Sequence, residues 1–275
     1  MKHRLISSAI ALPLVLAGIF MGGIWFSLII IFGAVVSAYE LARITGGNLQ
    51  KEPLISAILS GLLVAFVQMY DSYLLGLPRI NIGLSSIIVP IVLLSFVCIS
   101  ILILLILGRD RRLGTFTCVV SSVSYIGGLL SFAVLVRNSE YGLGWIVLLS
   151  LVVWANDTGS YVTGKAVGKT PFFPTISPNK TLEGAIGGYV CGLAIAIAGG
   201  LLLTRFGFTE LGLYSLISLG IIFVVLAQTG DLFESALKRR ANLKDSGSIM
   251  PGHGGALDRL DSIVLAFPVL YYFAQ

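Results

Sequence analysis

Long apolar runs, separated by short polar segments, recur along the whole chain. Nine of them approach the roughly 20 residues that an α-helix needs to cross about 30 Å of hydrocarbon. These runs are 5–20, 23–44, 54–70, 83–107, 115–136, 143–163, 182–204, 212–230 and 258–274. The strands of a membrane β-barrel would instead show about ten residues of alternating polarity. The pattern therefore predicts an all-α, polytopic transmembrane protein with about nine spans.

The N-terminal run begins with basic residues, as a signal peptide does, but no convincing small-x-small cleavage site follows it. A second apolar run starts directly after Gly22-Gly23. We interpret the first run as an uncleaved membrane helix. The two runs are expected to form a tight hairpin or a shallow re-entrant pair.

No Pro/Ser-rich linker and no soluble-looking block interrupts the apolar pattern. We therefore predict a single integral membrane domain over residues 1–275. In that domain 1–140 supplies mainly scaffold spans, while 141–275 carries the polar loops 164–181 and 231–258.

The distribution of basic residues predicts the orientation of the chain. Nine alternating spans with a cytoplasmic N-terminus leave only Arg79, Arg137 and Arg205 of the 18 basic residues on the outer side. This asymmetry agrees with the positive-inside rule and predicts an N-in, C-out topology. The loops 164–181 and 231–258 are then cytoplasmic, at the inner membrane of the cell.

Composition supports this class of protein. Hydrophobic residues make up 56% of the chain and charged residues 11%, against about 25% charged in soluble domains. The net charge of +5 lies mostly in the predicted cytoplasmic loops, where anionic lipids and substrates would meet it. Nucleic acid is not an expected partner, because no basic stripe on a soluble fold is present.

The three cysteines, Cys98, Cys118 and Cys191, stand singly inside apolar segments. No CxxC motif or His/Cys cluster accompanies them. A disulfide framework or a zinc site is therefore not expected.

Four aspartates lie in or beside apolar spans, where a carboxylate is costly unless it is paired or bound to a cation. They are Asp157, Asp231, Asp258 and Asp261. The predicted topology puts all four on the cytoplasmic side, and converging carboxylates of this kind suit Mg²⁺. The alternative is that they cap helices or form ion pairs, such as Asp231 with Lys238 and Asp258 with Arg259.

The segment between spans six and seven combines lysines with helix-start residues. Ser177 and Thr181 are both candidate N-caps, and Glu183 would lie in the first turn. A helix start beside Lys165 and Lys180 can bind phosphate. An ordinary transition from loop to helix remains the other interpretation.

The GHGG sequence at 252–255 permits close approach of backbone amides to a ligand, or forms a flexible turn. His253 is a candidate acid or base, or a phosphate contact. Carboxylates, lysines and glycine turns together suit phosphoryl or nucleotidyl transfer. A Walker A motif and a GxGxxG motif are both absent from the sequence.

The second half of the chain resembles the phosphatidate cytidylyltransferases (CDP-diacylglycerol synthases). The resemblance lies in S-x-L-K-R-x4-K-D-x-G at 235–247, PGHGG at 251–255 and D-R-x-D at 258–261. It extends to the upstream segments NDTGSY, SPNKTLEG and GDLFES, whereas the first half is similar only in its pattern of spans. Asn156 departs from the small residue expected before Asp-Thr-Gly.

This resemblance implies that the chain forms CDP-diacylglycerol and pyrophosphate from CTP and phosphatidic acid. It also implies a catalytic half at 141–275, a membrane-embedded homodimer, and Mg²⁺ with K⁺ as an assisting ion. Asp231 and Asp258 would be the principal metal ligands. The other implied catalytic residues are Lys238, Arg239, Lys244, Asp245, His253, Arg259 and Asp261. The implied substrate-binding residues are Asp157, Lys165, Ser177, Lys180, Thr181, Glu183, Ser235, Gly254 and Gly255.

Two other functions fit the residues without the family motif. An ion-coupled secondary transporter also contains intramembrane carboxylates and glycine-broken helices, usually near the membrane midplane and in two related halves. Another membrane lipid phosphotransferase would use the same groups as a cytidylyltransferase. Only the motif separates that enzyme from the cytidylyltransferase.

Overall fold

The computed structural model describes residues 2–46, 51–75, 114–249 and 254–274, with seven single positions between 91 and 102. All regular elements described there are helices, and an isolated bridge of strand type joins Pro171 to Thr181. The all-α prediction is confirmed. The α-helices are α1 (Lys2–Met21), α2 (Gly23–Gly46), α3 (Glu52–Leu75), α4 (Thr115–Ser122), α5 (Leu129–Arg137), α6 (Gly142–Val167), α7 (Leu182–Arg205), α8 (Leu213–Arg240), α9 (Leu257–Val264) and α10 (Ala266–Phe273). A π-helical segment, Val123–Gly128, joins α4 to α5.

Helices coincide with eight of the nine predicted spans, and most of the span at 83–107 lies outside the described residues. Within the described part of the chain, six helical stretches are long and apolar enough to cross a membrane. They are Gly23–Gly46, Glu52–Ser72, Thr115–Arg137, Gly142–Val167, Leu182–Arg205 and Leu213–Arg240. The chain is therefore a multi-pass membrane protein. The total of nine spans and the N-in orientation stay predictions.

Two breaks between helices have local causes. Gly22 and Gly23 both have positive φ, 66° and 49°, which ends α1 before α2 begins. The last predicted run is divided into α9 and α10 around Leu265. Pro268 cannot donate a backbone hydrogen bond to the carbonyl of Val264, so an unbroken helical ladder is not available there.

The chain divides into two compact units. The first contains Met1–Asn138 and Arg240–Leu260, and the second contains Ser139–Arg239 and Asp261–Gln275. In the first unit, α2 and α3 pack against the stretch from α4 to α5. From Ser121 to Val136 that stretch is almost completely buried, with Ile126, Leu130 and Phe132 at 0% exposure.

In the second unit, α6 and α7 pack against each other along their lengths. Glycines permit this close contact, because a Cβ at Gly159 or Gly188 would come closer than 3.0 Å to atoms of the opposite helix. Small residues allow helix backbones to approach in this way inside a membrane. The C-terminal end of α6 consequently lies beside the start of α7, where the polar residues of this unit are concentrated.

Candidate active site

A cavity of about 530 Å³, with polar and charged residues in its lining, lies in the second unit, between α6, α7, α8 and the loop that precedes α7. This volume is within the range of roughly 300–1,000 Å³ that is usual for ligand sites. Five of the predicted site residues line it: Asp157, Lys165, Lys180, Thr181 and Asp231. The cavity therefore contains both anionic and cationic groups, as a metal-assisted phosphate site requires.

The entry into α7 is organised by Thr181 and Glu183. Thr181 is the N-cap, and its Oγ1 accepts a hydrogen bond of 3.2 Å from the Gly184 N–H. Glu183 accepts from the Lys169 and Thr170 N–H groups and from the Thr170 hydroxyl, so it fixes the preceding loop against the helix. The alternative of an N-cap at Ser177 is wrong, because the helix begins five residues later, at Leu182.

Lys180 and Asp231 form an ion pair inside the cavity. Lys180 comes from the loop before α7, whereas Asp231 lies on α8, two turns before the end of that helix. Ser235, one turn further along α8, lies 3.4 Å from the other oxygen of Asp231. The predicted alternative pairing of Asp231 with Lys238 is wrong, because Lys238 pairs with the buried Glu234 at 3.0 Å.

Asn156 and Gln228 also line the cavity, and sequence reasoning did not identify them as site residues. The Gln228 amide donates to Asn156 Oδ1 and to the Ala185 carbonyl, both at 2.9 Å. Asn156 in turn donates to Asp157 Oδ1 at 3.0 Å. Asn156 is 3% exposed. The amide of Asn156 therefore holds the Asp157 carboxylate in place. The departure of Asn156 from the family pattern was the signal in the sequence that could have identified it as a site residue.

Three carboxylates of this unit are close enough to repel one another: Asp157, Asp231 and Asp261. Asp261 is buried on α9 and accepts hydrogen bonds from the N–H and hydroxyl of Ser262. Such oxygen ligands suit a hard divalent cation. In the described residues, however, no three Asp, Glu, His or Cys side chains have the geometry of a metal site. Asp231 Oδ2 is paired with the Lys180 ammonium, and the role of Asp231 as a metal ligand stays a prediction.

Asp258 lies in the first unit, one turn before Asp261 on α9. Its Oδ2 accepts from the Ser246 N–H at 2.9 Å, the Ser246 hydroxyl at 2.9 Å and the Gly255 N–H at 2.8 Å. Gly254 has φ +86°, and a Cβ there would meet the same oxygen. Gly254 and Gly255, the described glycines of GHGG, therefore lie against the Asp258 carboxylate of the chain itself. The role of Asp258 as a metal ligand stays a prediction.

Glu40 of α2 is a second residue that the sequence analysis missed. It is 4% exposed and accepts hydrogen bonds from Ser246 and from the start of α9. A carboxylate within an apolar span was the signal that could have found it. No motif residue stands next to Glu40 in the sequence, so its proximity to Ser246 and to the start of α9 could not be predicted.

The remaining predicted site residues have different environments. Arg239 is exposed, and its Nε donates to the Ile176 carbonyl at 3.1 Å. Lys244, Asp245 and Arg259 are exposed. His253 lies outside the described residues.

Comparison with known proteins extends the resemblance over the whole chain. The model of the cytidylyltransferase family matches residues 2–275. A phosphatidate cytidylyltransferase of Staphylococcus haemolyticus is 35% identical over 98% of this chain and 97% of that protein. The proteins of the same name from Staphylococcus saprophyticus and Staphylococcus aureus are each 33% identical with the same coverage. A transporter is therefore excluded in favour of an enzyme, and the chain belongs to the cytidylyltransferase family.

Proposed function

We propose that this protein transfers the cytidylyl group of CTP to phosphatidic acid, giving CDP-diacylglycerol and pyrophosphate. The observation that carries the proposal is the cavity of the second unit, in which Lys165 and Lys180 lie with Asp157 and Asp231 in a multi-pass membrane protein. Relatives named phosphatidate cytidylyltransferase, similar over nearly their full length, support the choice of substrates.

The reaction is an in-line displacement at phosphorus. A phosphate oxygen of phosphatidic acid attacks the α-phosphorus of CTP, and the bond from that phosphorus to the bridging oxygen of the β-phosphate breaks. The electron pair leaves with pyrophosphate. The lipid phosphate is already anionic near neutral pH, so the protein needs no strong base. Positioning and charge stabilisation supply most of the catalysis.

The lysines of the cavity would bind phosphate groups. Lys180 is the better supported of the two, because it already holds an anionic oxygen, that of Asp231. When CTP enters, its phosphates would compete with Asp231 for the ammonium group. Lys238 is a weaker candidate, since contact with a phosphate would require separation from Glu234.

The carboxylates would hold Mg²⁺, with Asp231 as the central ligand and Asp157 and Asp261 nearby. Asp258 is the second ligand that the family motif suggests. A bound Mg²⁺ would neutralise charge on the transferred and leaving phosphates. Carboxylate oxygens are ligands that Mg²⁺ prefers, which supports this choice of metal. K⁺ would be an additional assisting ion.

The cellular setting follows from the substrates. Phosphatidic acid stays in the bilayer with its acyl chains among the lipids, whereas CTP arrives from the cytoplasm. We place the site at the cytoplasmic face of the inner membrane. We propose a homodimer as the working assembly.

The test is an assay of purified, detergent-solubilised protein with labelled CTP, phosphatidic acid and Mg²⁺. We expect labelled CDP-diacylglycerol and an equal amount of pyrophosphate. Asp258→Asn and Asp231→Asn should each abolish turnover while the protein still unfolds cooperatively on heating. Failure of the wild-type protein with every divalent cation would disprove the proposal. Faster reaction with another lipid phosphate would reassign the acceptor.

A further inference from the structure

Glu40 is a buried carboxylate that the proposed reaction does not use directly. It lies near the end of α2, inside a helix that is long and apolar enough to span the membrane, and is 4% exposed. A carboxylate in such a position is costly unless donors surround it. The identity of these donors indicates what the residue does.

Both oxygens of Glu40 are bound by the segment that leads into α9. Oε2 accepts from the Leu257 N–H at 2.9 Å and lies 3.0 Å from the Ser246 hydroxyl, while Oε1 accepts from the Ala256 N–H at 3.2 Å. The first N–H groups of a helix have no partner within the helix itself. Glu40 supplies that partner for α9 from 217 residues away in the sequence.

Ser246 links Glu40 to Asp258. Its hydroxyl oxygen lies 3.0 Å from Glu40 Oε2 and 2.9 Å from Asp258 Oδ2, so the single hydroxyl is within donating distance of both carboxylates. The Ser246 N–H and the Gly255 N–H also donate to Asp258. Glu40 and Asp258 therefore share the Ser246 hydroxyl as a hydrogen-bond partner. The Gly255 N–H that binds Asp258 is next in the chain to the Ala256 N–H that binds Glu40.

Two glycines of the family motif make room for the Glu40 carboxylate. A Cβ at Gly247 or at Gly255 would come closer than 3.0 Å to oxygens of Glu40. Neither glycine has a positive φ, so an alanine is compatible with the backbone at both positions. The absence of a side chain at these positions is explained by space for Glu40 and not by backbone conformation.

We propose that Glu40 is a positioning residue of the site: it anchors the segments 245–249 and 254–258 and, through Ser246, sets the orientation of the Asp258 carboxylate. For its kinetic consequences this inference rests on the proposed function. The anchoring itself is independent of that function.

The first experiment compares Glu40→Gln with Glu140→Gln, a substitution at an exposed glutamate, in detergent-solubilised full-length protein. Gln replaces one accepting oxygen of Glu40 by an NH₂ group. This group is itself a donor, so it cannot accept the hydrogen bond from the N–H or O–H group that faces it. We expect faster hydrogen exchange at the amides of Ser246, Gly255, Ala256 and Leu257. The rate constant kcat should fall by about 10–100-fold, as for other groups that orient metal ligands. The KM for CTP should stay unchanged.

The second experiment uses Gly247→Ala in two backgrounds. In the wild-type background the new methyl group displaces the Glu40 carboxylate, so kcat falls and exchange rises. In the Glu40→Ala background that space is empty, so the same change should have little further effect. Gly212→Ala is the control, since a Cβ there meets no atom within 4 Å.

Unchanged exchange and unchanged kcat in Glu40→Gln would overturn the proposal. Equal losses from Gly247→Ala in both backgrounds would also overturn it, since the glycine would then act independently of Glu40. If the wild-type protein makes no CDP-diacylglycerol, the proposed function fails. Hydrogen exchange would still test the anchoring by Glu40.

Discussion

Lys180 and Lys238 are both lysines of the predicted phosphate-binding set, but their surroundings give them different roles. The side chains of Lys180 and Asp231 are 29% and 33% exposed, whereas those of Lys238 and Glu234 are 10% and 3% exposed. Partly exposed ion pairs contribute little to stability. Breaking a buried pair is strongly destabilising, because it leaves a charge without its partner.

Lys180→Met should therefore reduce activity without unfolding the protein. We expect kcat to fall by about 100-fold, comparable to the loss of one transition-state hydrogen-bond donor. The thermal unfolding temperature in detergent should stay close to that of wild type. Lys169→Met, at an exposed lysine of the same loop, is the control and should be nearly as active as wild type. A fully active Lys180→Met protein would contradict this role.

Lys238→Met should have the opposite signature. It leaves the buried carboxylate of Glu234 without its cation and should lower the free energy of unfolding by about 3 kcal/mol. Thermal unfolding of the two lysine variants side by side is the measurement. Equal unfolding temperatures for Lys180→Met and Lys238→Met would show that the buried and the partly exposed ion pair contribute equally to stability.

At the scale of elements, the α6–α7 contact positions the cavity. Asn156 and Asp157 come from α6, while Thr181 and Gly184 come from the start of α7. A Cβ at Gly188 would come closer than 3.0 Å to Asn156 and Ser160 of α6. The spacing of these two helices therefore depends on a residue without a side chain.

Gly188→Ala should push α7 away from α6. Overpacking of this kind costs about 1–3 kcal/mol, and the displaced Asn156 should also lower activity. Gly199→Ala is a matched control on the same helix, because the nearest side-chain atoms lie 3.8–4.0 Å from its Cβ. Unfolding temperature and CDP-diacylglycerol formation should change in the first variant only. Similar losses of stability and activity in both variants would show that any alanine on α7 has this effect, and that the contact of Gly188 with α6 is not its cause.

At the scale of the whole molecule, the predicted orientation can be tested at the ends of the α6–α7 pair. Lys165 and Arg205 are exposed and lie near opposite ends of this pair. In intact cells, a cysteine at position 205 should react with a membrane-impermeant reagent. A cysteine at 165 should react only after the membrane is opened. The background should lack Cys98, Cys118 and Cys191, and the reverse labelling pattern would disprove the N-in topology.

The sequence by itself determined the class of fold and the positions of eight described helical segments. A membrane span needs about 20 apolar residues and satisfies its backbone hydrogen bonds internally, so its signal is local. The N-cap at Thr181 was predictable for the same reason, because its partner is the Gly184 N–H three residues away. The spacing of the motif was sufficient to indicate the family.

Only the tertiary structure decided which charged groups meet. Lys180 reaches Asp231 across 51 residues, and Glu40 reaches Ser246 across 206. Periodicity shows that a carboxylate lies within a helix, but it does not show the rotation of that helix against its neighbours. The packing of side chains sets this rotation. It therefore also decided that Gln228 meets Asn156 and that two motif glycines make room for Glu40. The Lys238–Glu234 and Asn156–Asp157 contacts are local, four residues and one residue apart, and do not depend on this rotation.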